Sequence, residues 1–462
     1  MKQRTITTAL VCTLFVQALF AQKQTPPAGG TAKDFKLSAK KEKSYPNGLK
    51  STTVQYGAIP KATISLIIKT GNVHEGANEV WLADLTGRLL KEGTAAMNFA
   101  ALSKKAAQMG GELNVSVGMT QTTINGSVLS EFAPAFIKLV ADLVMNPAFP
   151  ASELERLKGD LKRQLTVQKA VPQAQAQEQF FQALYKDHPY GRMFPTEEMI
   201  NSYSLEMVKD FYNKNFGARR SVVYVVGKFN EAAVDAAIAT AFSKWKAGPP
   251  VQYPPVTASP VSDTLMVERK GAPQTTVMVG MPVPTPDNKD YLPLLVTNSL
   301  LGGSFGSRIT SNIRENKGYT YSPFSTVQNR KGSSLWYEVA DVTSEHTIDA
   351  LQEIHKEINR LQAGPPSKEE LQGIQNYEAG IFVLRNSSPG GIISQLNFLD
   401  LYGLNDSYLT NYIKNMYAVT PEKVSEMTRN YIQYDKMTKV MVGDKELIRQ
   451  QIEKQKAVPK AF

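Results

Sequence analysis

Bond-breaking chemistry takes a nucleophile, a general base or a metal, and residues able to supply these are scarce in this chain. There are four histidines, His74, His188, His346 and His355, and no two stand at the spacing that sets a ligand pair on one helical face. His74 is followed by Glu75, which invites a metalloprotease reading, but nothing follows at the required position, so the pair reads as loop polarity. His188 lies in the Pro-bounded run HPYGR and reads as a structural loop residue. The single cysteine, Cys12, sits in an apolar N-terminal run, which leaves the rest of the chain without a thiol nucleophile or a disulfide. Gly302 and Gly303 lack the Lys-Ser/Thr that completes a phosphate loop, and read as a tight turn or a substrate-facing loop. Two further residues, Arg314 and Tyr321, carry hydrogen-bond donors of a kind that could meet a carbonyl oxygen. A phenol O–H can donate to the negative charge that grows on a carbonyl oxygen under attack. A guanidinium offers a rigid fork of donors that would hold a carbonyl in register. Taken alone, the plainer readings come first: Arg314 as a solvated or ion-paired helix residue beside Glu315, and Tyr321 as a half-buried strand aromatic alongside Tyr319 and Phe324.

The scaffold that carries such a pair has more than one domain. A chain of 462 residues exceeds what one hydrophobic core supports. Hydrophobic residues at 42% and charged residues at 20% are the make-up of a folded chain, not a disordered one. The net charge of +10 raises nucleic-acid binding, yet the basic residues are scattered among 42 acidic ones. No basic block is interleaved with aromatics, so a solvated surface is expected and no nucleic-acid partner. Residues 1–21, with Lys2 and Arg4 ahead of an apolar run from Ile6 to Phe20, read as a secretory signal peptide, the run being shorter than the roughly 20 residues of a spanning helix. Export is expected, to the periplasm of a Gram-negative bacterium, with no stable membrane span after cleavage. Residues 22–44, rich in Pro, Gly and polar side chains, read as a flexible leader. A second Pro-rich stretch, 247–262, reads as an extended linker between domains at 45–246 and 263–462.

The two halves repeat one another at a fixed offset. VYVVGK (Val223–Lys228) returns as KVMVGD (Lys439–Asp444), and SLEMV (Ser204–Val208) as TPEKV (Thr420–Val424), each of the latter a helix start with a hydroxyl cap. PASEL (Pro150–Leu154) returns as PSKEEL (Pro366–Leu371), with capping boxes from Ser152 to Glu155 and from Ser367 to Glu370. The strand-like run ATISLIIKTG (Ala62–Gly71) corresponds to TTVMVGMP (Thr275–Pro282). These matches imply a tandem duplication. Strands and helices are mixed without regular βαβ alternation. The fold class expected is α+β, with two homologous tandem domains, each a mainly antiparallel sheet packed with helices.

The segment LADLTGRLLKEGT (Leu82–Thr94), following GNVHEG (Gly71–Gly76), resembles the pitrilysin/insulinase family of zinc peptidases, whose N-terminal halves carry the inverted motif H-x-x-E-H on a helix. The resemblance implies two zinc-binding His on one helical face and a Glu that activates water. With Leu82-Ala83 and Gly93-Thr94 aligned, the His positions fall on Asp84 and Arg88 and the Glu on Gly87. The family's third ligand, a Glu, falls on Gln164 within LERLKGDLKRQL. Asp84 could ligate zinc, but Arg88 is permanently cationic, Gly87 has no side chain to take a proton, and the amide of Gln164 is a poor ligand. The motif is degenerate, and no cofactor is expected in this chain.

SLLGGSFGSRITSNIRENKGYTYS (Ser299–Ser322) resembles the same family's C-terminal signature, a glycine-rich stretch, then S-R, then R-E-x-x-G-x-x-Y. RKGAPQTTVMVGMP (Arg269–Pro282) resembles the strand that enters that half. Carried over residue by residue, the family's substrate-binding pair falls on Arg314 and Tyr321, and within the resemblance their functional reading comes first. It implies the non-zinc subunit of a heteromeric metallopeptidase. Its partners would be peptide substrates and a zinc-bearing homologous subunit, with the zinc in that partner. The alternative is a proteolytically inactive structural or peptide-binding assembly protein, against which retention of both Arg314 and Tyr321 weighs.

Overall fold

The apolar runs of the two halves become the strands of two sheets. The computed structural model describes residues 35–261 and 263–457; the signal-peptide reading of 1–21 and Cys12 lie outside them. In the first half, β1 (Lys40–Ser44), β2 (Lys50–Gln55), β3 (Lys61–Ile68), β4 (Asn114–Val117), β5 (Thr122–Leu129) and β6 (Ser221–Gly227) form a sheet of order β1-β2-β6-β3-β5-β4. In the second half, β7 (Thr264–Glu268), β8 (Gln274–Val283), β9 (Phe324–Arg330), β10 (Ser333–Thr343) and β11 (Thr438–Gly443) form a sheet of order β9-β10-β8-β11-β7. Each sheet has one parallel pair, β2 with β6 and β11 with β7, and is otherwise antiparallel. The α+β class and the repeated architecture are those expected.

Two local expectations fail. The leader does not run to Ser44, because Lys40–Ser44 is strand β1, with Lys40 opposite Val54 and Ser44 opposite Lys50. Its sequence KKEKS conceals it: an edge strand needs no apolar alternation, and lysines guard such an edge against further pairing. Lys40 is held by Asp406 at 2.7 Å and Lys43 by Asp235 at 2.5 Å, while Phe35 meets Phe382 edge-on at 5.0 Å. The capping box at Ser152 does not form either. That helix starts at Ala151 behind Pro150, so Ser152 already lies inside its first turn. Ser204, Ser367 and Thr420 do cap, each accepting the backbone N–H three residues on.

Six helices frame the candidate sites and the seam between the halves: α1 (Leu82–Lys91), α2 (Ala151–Ala170), α3 (Pro172–Tyr185), α4 (Tyr291–Asn298), α5 (Lys368–Arg385) and α6 (Pro389–Tyr402). Leu82, Leu85 and Leu89 of α1 and Leu157, Leu161 and Leu165 of α2 recur at helical spacing and share the first core, which fixes the two helices relative to each other.

All seven residues of β6 (SVVYVVG) are buried, so its sheet must be covered on both faces. Val223 and Val225 face the helices of their own half. Val222, Tyr224 and Val226 face the other way, onto Ile392, Ile393 and Leu396 of α6 from the second half. The exchange is reciprocal: Met278 of β8, Tyr337 and Val339 of β10 and Val442 of β11 are covered by Ala176, Phe180, Phe181 and Leu184 of α3. Each large apolar side chain so buried contributes about 1.5–3 kcal/mol, and the halves therefore stabilise one another. Arg330 pins the same seam, 4.4 Å from the ring centroid of Phe181 and donating to the Tyr190 carbonyl at 2.6 Å. Tyr253 and Val256 of the Pro-rich stretch pack against it. Among the described residues no helix is long and apolar enough to cross a membrane.

Candidate functional site

In the first half, Asp84 and Arg88 lie one turn apart on α1 and therefore on one face. Arg88 Nη2 donates to Gln164 Oε1 on α2, so two positions 76 residues apart in sequence meet where the resemblance places metal ligands. Asp84 Oδ2 accepts from Asn72 Nδ2 at 2.6 Å, and the same amide reaches Glu75 Oε1 at 3.1 Å. Glu75 Oε1 also accepts the Ala83 N–H at 2.8 Å, satisfying a donor at the open end of α1. Glu75 is therefore more than loop polarity: it is 6% exposed, and Arg192 donates to its backbone carbonyl at 3.0 Å. Burial pushes its carboxyl up to about 8, with nearby Asp84 adding to the rise and the Ala83 N–H and Asn72 opposing it. Burial also raises Asp84, against the pull of Asn72 and Arg88.

These residues do not fit zinc. A zinc site needs neutral or anionic donors converging on one point, whereas here a guanidinium and a neutral amide are bonded to each other. A Cβ on Gly87 would come 2.6 Å from Val117 Cγ2 of β4, so helix and strand pack too closely at the position assigned to the base for a side chain to fit without displacing Val117. Among the described residues, no group of three or more His, Cys, Asp or Glu could hold a metal. The histidines stay apart. His74 accepts from the Gly71 N–H at 3.2 Å and donates to the Gln252 carbonyl at 3.0 Å. Burial, then Arg220, lowers its pKa to about 4. His188 accepts the Tyr190 N–H. His346 and His355 stack on Tyr319 and Tyr434.

In the second half, α4 runs into a widened, π-helical turn, Ser299–Gly303, and a second such turn, Ser311–Asn316, carries Arg314; turns of this kind gather at functional positions. Gly318, at φ 67°, then reverses the chain so that Tyr321 comes back beside Arg314. The guanidinium carbon lies 5.1 Å from the Tyr321 ring centroid and 4.3 Å from that of Phe305, and Arg314 Nη1 is 3.3 Å from Glu315 Oε1. Tyr321 is not a half-buried strand aromatic. It precedes β9 and is 79% exposed, and Phe305 is 72% exposed. With Gly302, Gly303 and Phe324 these residues line a cleft of about 280 Å³. A cation flanked by two aromatic faces, with a phenol O–H at its mouth, can hold a peptide carbonyl and an adjoining apolar side chain. The cleft's lining includes the hydroxyls of Ser304, Thr310 and Ser322, with no histidine, carboxylate or thiol among the lining residues to activate them.

Phe305 and Glu338 escape the sequence reading, and Glu75 reads there as loop polarity. Glu338 leaves a signal, as the one charged residue in the run SSLWYEVA.

The family model described as insulinase (peptidase family M16) matches residues 53–195, and that described as the peptidase M16 inactive domain matches residues 202–377. An uncharacterized zinc protease of Mycobacterium bovis is 24% identical over 409 residues, spanning 85% of this chain and 91% of its own length. An uncharacterized zinc protease of Bacillus subtilis is 21% identical over 391 residues, spanning 84% and 95%. Among solved structures, a peptidase M16 inactive domain from Pseudomonas fluorescens matches with a TM-score of 0.81 at 24% identity, over 88% of this chain and 98% of that one. A protease from Helicobacter pylori matches with a TM-score of 0.81 at 19% identity, over 88% and 100%. At these identities the solved structures speak for the fold.

Proposed function

The chain belongs to the insulinase family of peptidases, M16, and we propose that it serves as the subunit without zinc in a two-chain metallopeptidase. It is exported to the periplasm, pairs there with a zinc-bearing homologous subunit, and binds the peptide that the partner cuts. The observation that carries this reading is the open cleft in which a half-buried Arg314 lies beside the exposed ring of Tyr321, in a chain whose own metal positions are closed by the Arg88–Gln164 bond. Arg314 holds a backbone carbonyl of the substrate and keeps the peptide in register. Tyr321 donates its O–H to the carbonyl oxygen as charge develops there. A zinc-bearing partner would supply the activation of water that this chain's residues do not.

The test is to purify the chain with and without a homologue that carries H-x-x-E-H, then measure zinc content, complex size and cleavage of a quenched peptide. Expected are no stoichiometric zinc and no cleavage for the single chain, and a complex with chelator-sensitive cleavage for the mixture. Stoichiometric zinc with cleavage by the single chain overturns the reading. A stable complex indifferent to changes at Arg314 and Tyr321 favours the structural assembly role instead.

A further inference from the structure

Beneath the cleft lies a carboxyl group with nothing to bind. Glu338 is on β10, on the face that also carries Trp336 and Ala340 into the second-half core, and it is 1% exposed. Neither of its oxygens has a hydrogen-bond partner among the described residues, and the same holds for Ser299 Oγ and Trp336 Nε1. Strand pairing sets it between Val279 of β8 and Ser325 of β9. Gly302 closes it from above: a Cβ there would fall 2.5 Å from Glu338 Oε2 and 2.6 Å from Ser325 Oγ. The carboxyl is thus pressed against the backbone of the π-helical turn. The same two glycines, Gly302 and Gly303, also form the wall of the cleft beside Arg314 and Tyr321.

Among the described residues no cation answers this carboxyl. Its strand neighbours present Val279 and Ser325, and the turn presents Ser299. The charges on the surrounding helices are engaged elsewhere: Glu357 with Arg360 at 2.9 Å and Asn312 at 2.7 Å, and Arg308 with Glu370 at 2.7 Å. Glu378 and Arg385 of α5 line an adjoining cavity past Gly303. An unpaired buried carboxylate is far costlier than a neutral acid in such surroundings, and burial holds Glu338 well above the usual carboxylate range.

We propose that Glu338 is a positioning residue of the cleft: as an uncharged acid it seats the turn from Ser299 to Ser304 on the sheet, and its ionisation releases that turn. The seating stands on the geometry alone, and only its consequence for peptide binding rests on the function proposed above. When the turn lifts, water reaches the carboxyl and its pKa falls back to the ordinary range. Between that range and the raised value of the seated state, each pH unit favours the lifted turn about tenfold. A lifted turn carries Gly302, Gly303 and Phe305 away from Arg314, so peptide binding weakens as pH rises.

Hydrogen exchange of the amides from Leu300 to Phe305 in the full chain, corrected for the intrinsic rate at each pH, reads this directly. From mildly acidic to mildly alkaline pH the unmodified protein is expected to lose protection about tenfold per pH unit, until Glu338 ionises even when seated. Glu338→Gln should hold its protection constant, and Glu338→Met, a second uncharged replacement, should do the same if the amide disturbs folding. A flat profile in the unmodified protein, or a slope that survives in both variants, overturns the proposal. With a zinc-bearing partner, KM should rise with pH for the unmodified chain and not for Glu338→Gln, with kcat alike in both. Persistence of the exchange slope alongside inert Arg314 and Tyr321 variants supports the positioning role while removing the function proposed above.

Discussion

The two halves share a sheet order and lend each other a helix, yet they differ in what their polar side chains are left free to do. In the first half, Arg88 is engaged by Gln164, Asn72 by Asp84 and Glu75, and Glu75 by the Ala83 N–H. In the second, among the described residues the Arg314 side chain meets Glu315 and two aromatic faces, and Tyr321 projects into solvent. A donor already satisfied inside the protein gains little by turning to a ligand, because the exchange of one hydrogen bond for another is nearly neutral. The comparison teaches that a duplicated fold preserves positions, while chemistry depends on which of the groups at those positions remain unspent.

The largest expected effect lies in the second half. In a mixture with a zinc-bearing partner, Tyr321→Phe should lower kcat about 10²-fold or more with KM little changed, as for loss of an oxyanion donor. Arg314→Ala should raise KM, and neither change should alter complex size. Unchanged rates for both would erase the difference between the halves.

Next comes the packing of the two glycines. Gly302→Ala sets a methyl against Glu338 Oε2 and Ser325 Oγ, both on strands, and should cost about 1–3 kcal/mol. Gly87→Ala meets one methyl of Val117, and its gain in helix propensity of about 1 kcal/mol offsets part of the strain. Denaturant midpoints in the reverse order would contradict the seating of the glycine turn on Glu338.

The first half should reveal itself in the pH dependence of stability. Glu75 holds its proton more tightly folded than unfolded, so its contribution is full at acidic pH, declines as pH rises from the ordinary carboxylate range, and is gone once pH passes about 8. The decline is at most about 1.4 kcal/mol per pH unit. Glu75→Gln should remove this part of the slope in chemical denaturation and leave the part due to Glu338, which has the same sign. Identical slopes with and without Glu75 would show that its carboxyl is ionised in the fold.

The smallest effect concerns the lost metal. A chain with Asp84→His, Gly87→Glu and Arg88→His, with Val117→Ala to make room for the carboxylate introduced on α1, still has an amide at the third position. Adding Gln164→Glu should raise zinc affinity at least about tenfold, measured by competition with a chromogenic chelator. Equal affinities would place the third position elsewhere.

Much of this was legible in the chain as written. The strand runs around Ala62, Val223, Thr275 and Lys439, the caps at Ser204, Ser367 and Thr420, and the tandem repeat all show in local spacing, because periodicity and capping are settled within a few residues. The loss of zinc chemistry was legible too, since no environment turns Arg88 into a ligand or gives Gly87 a base. The rest waited for distant parts of the chain to meet. Strand β1 carries no apolar pattern and forms because β2 and Asp406 receive it. The covers of the two outer sheet faces, α3 and α6, come from the opposite halves, which no local period records. Whether Glu75 and Glu338 keep their protons, and whether Tyr321 meets water or core, depends on what packs over them. Residue type sets the chemistry a side chain is capable of, and the tertiary surroundings set its solvation and partners, and so decide which of that chemistry it can use.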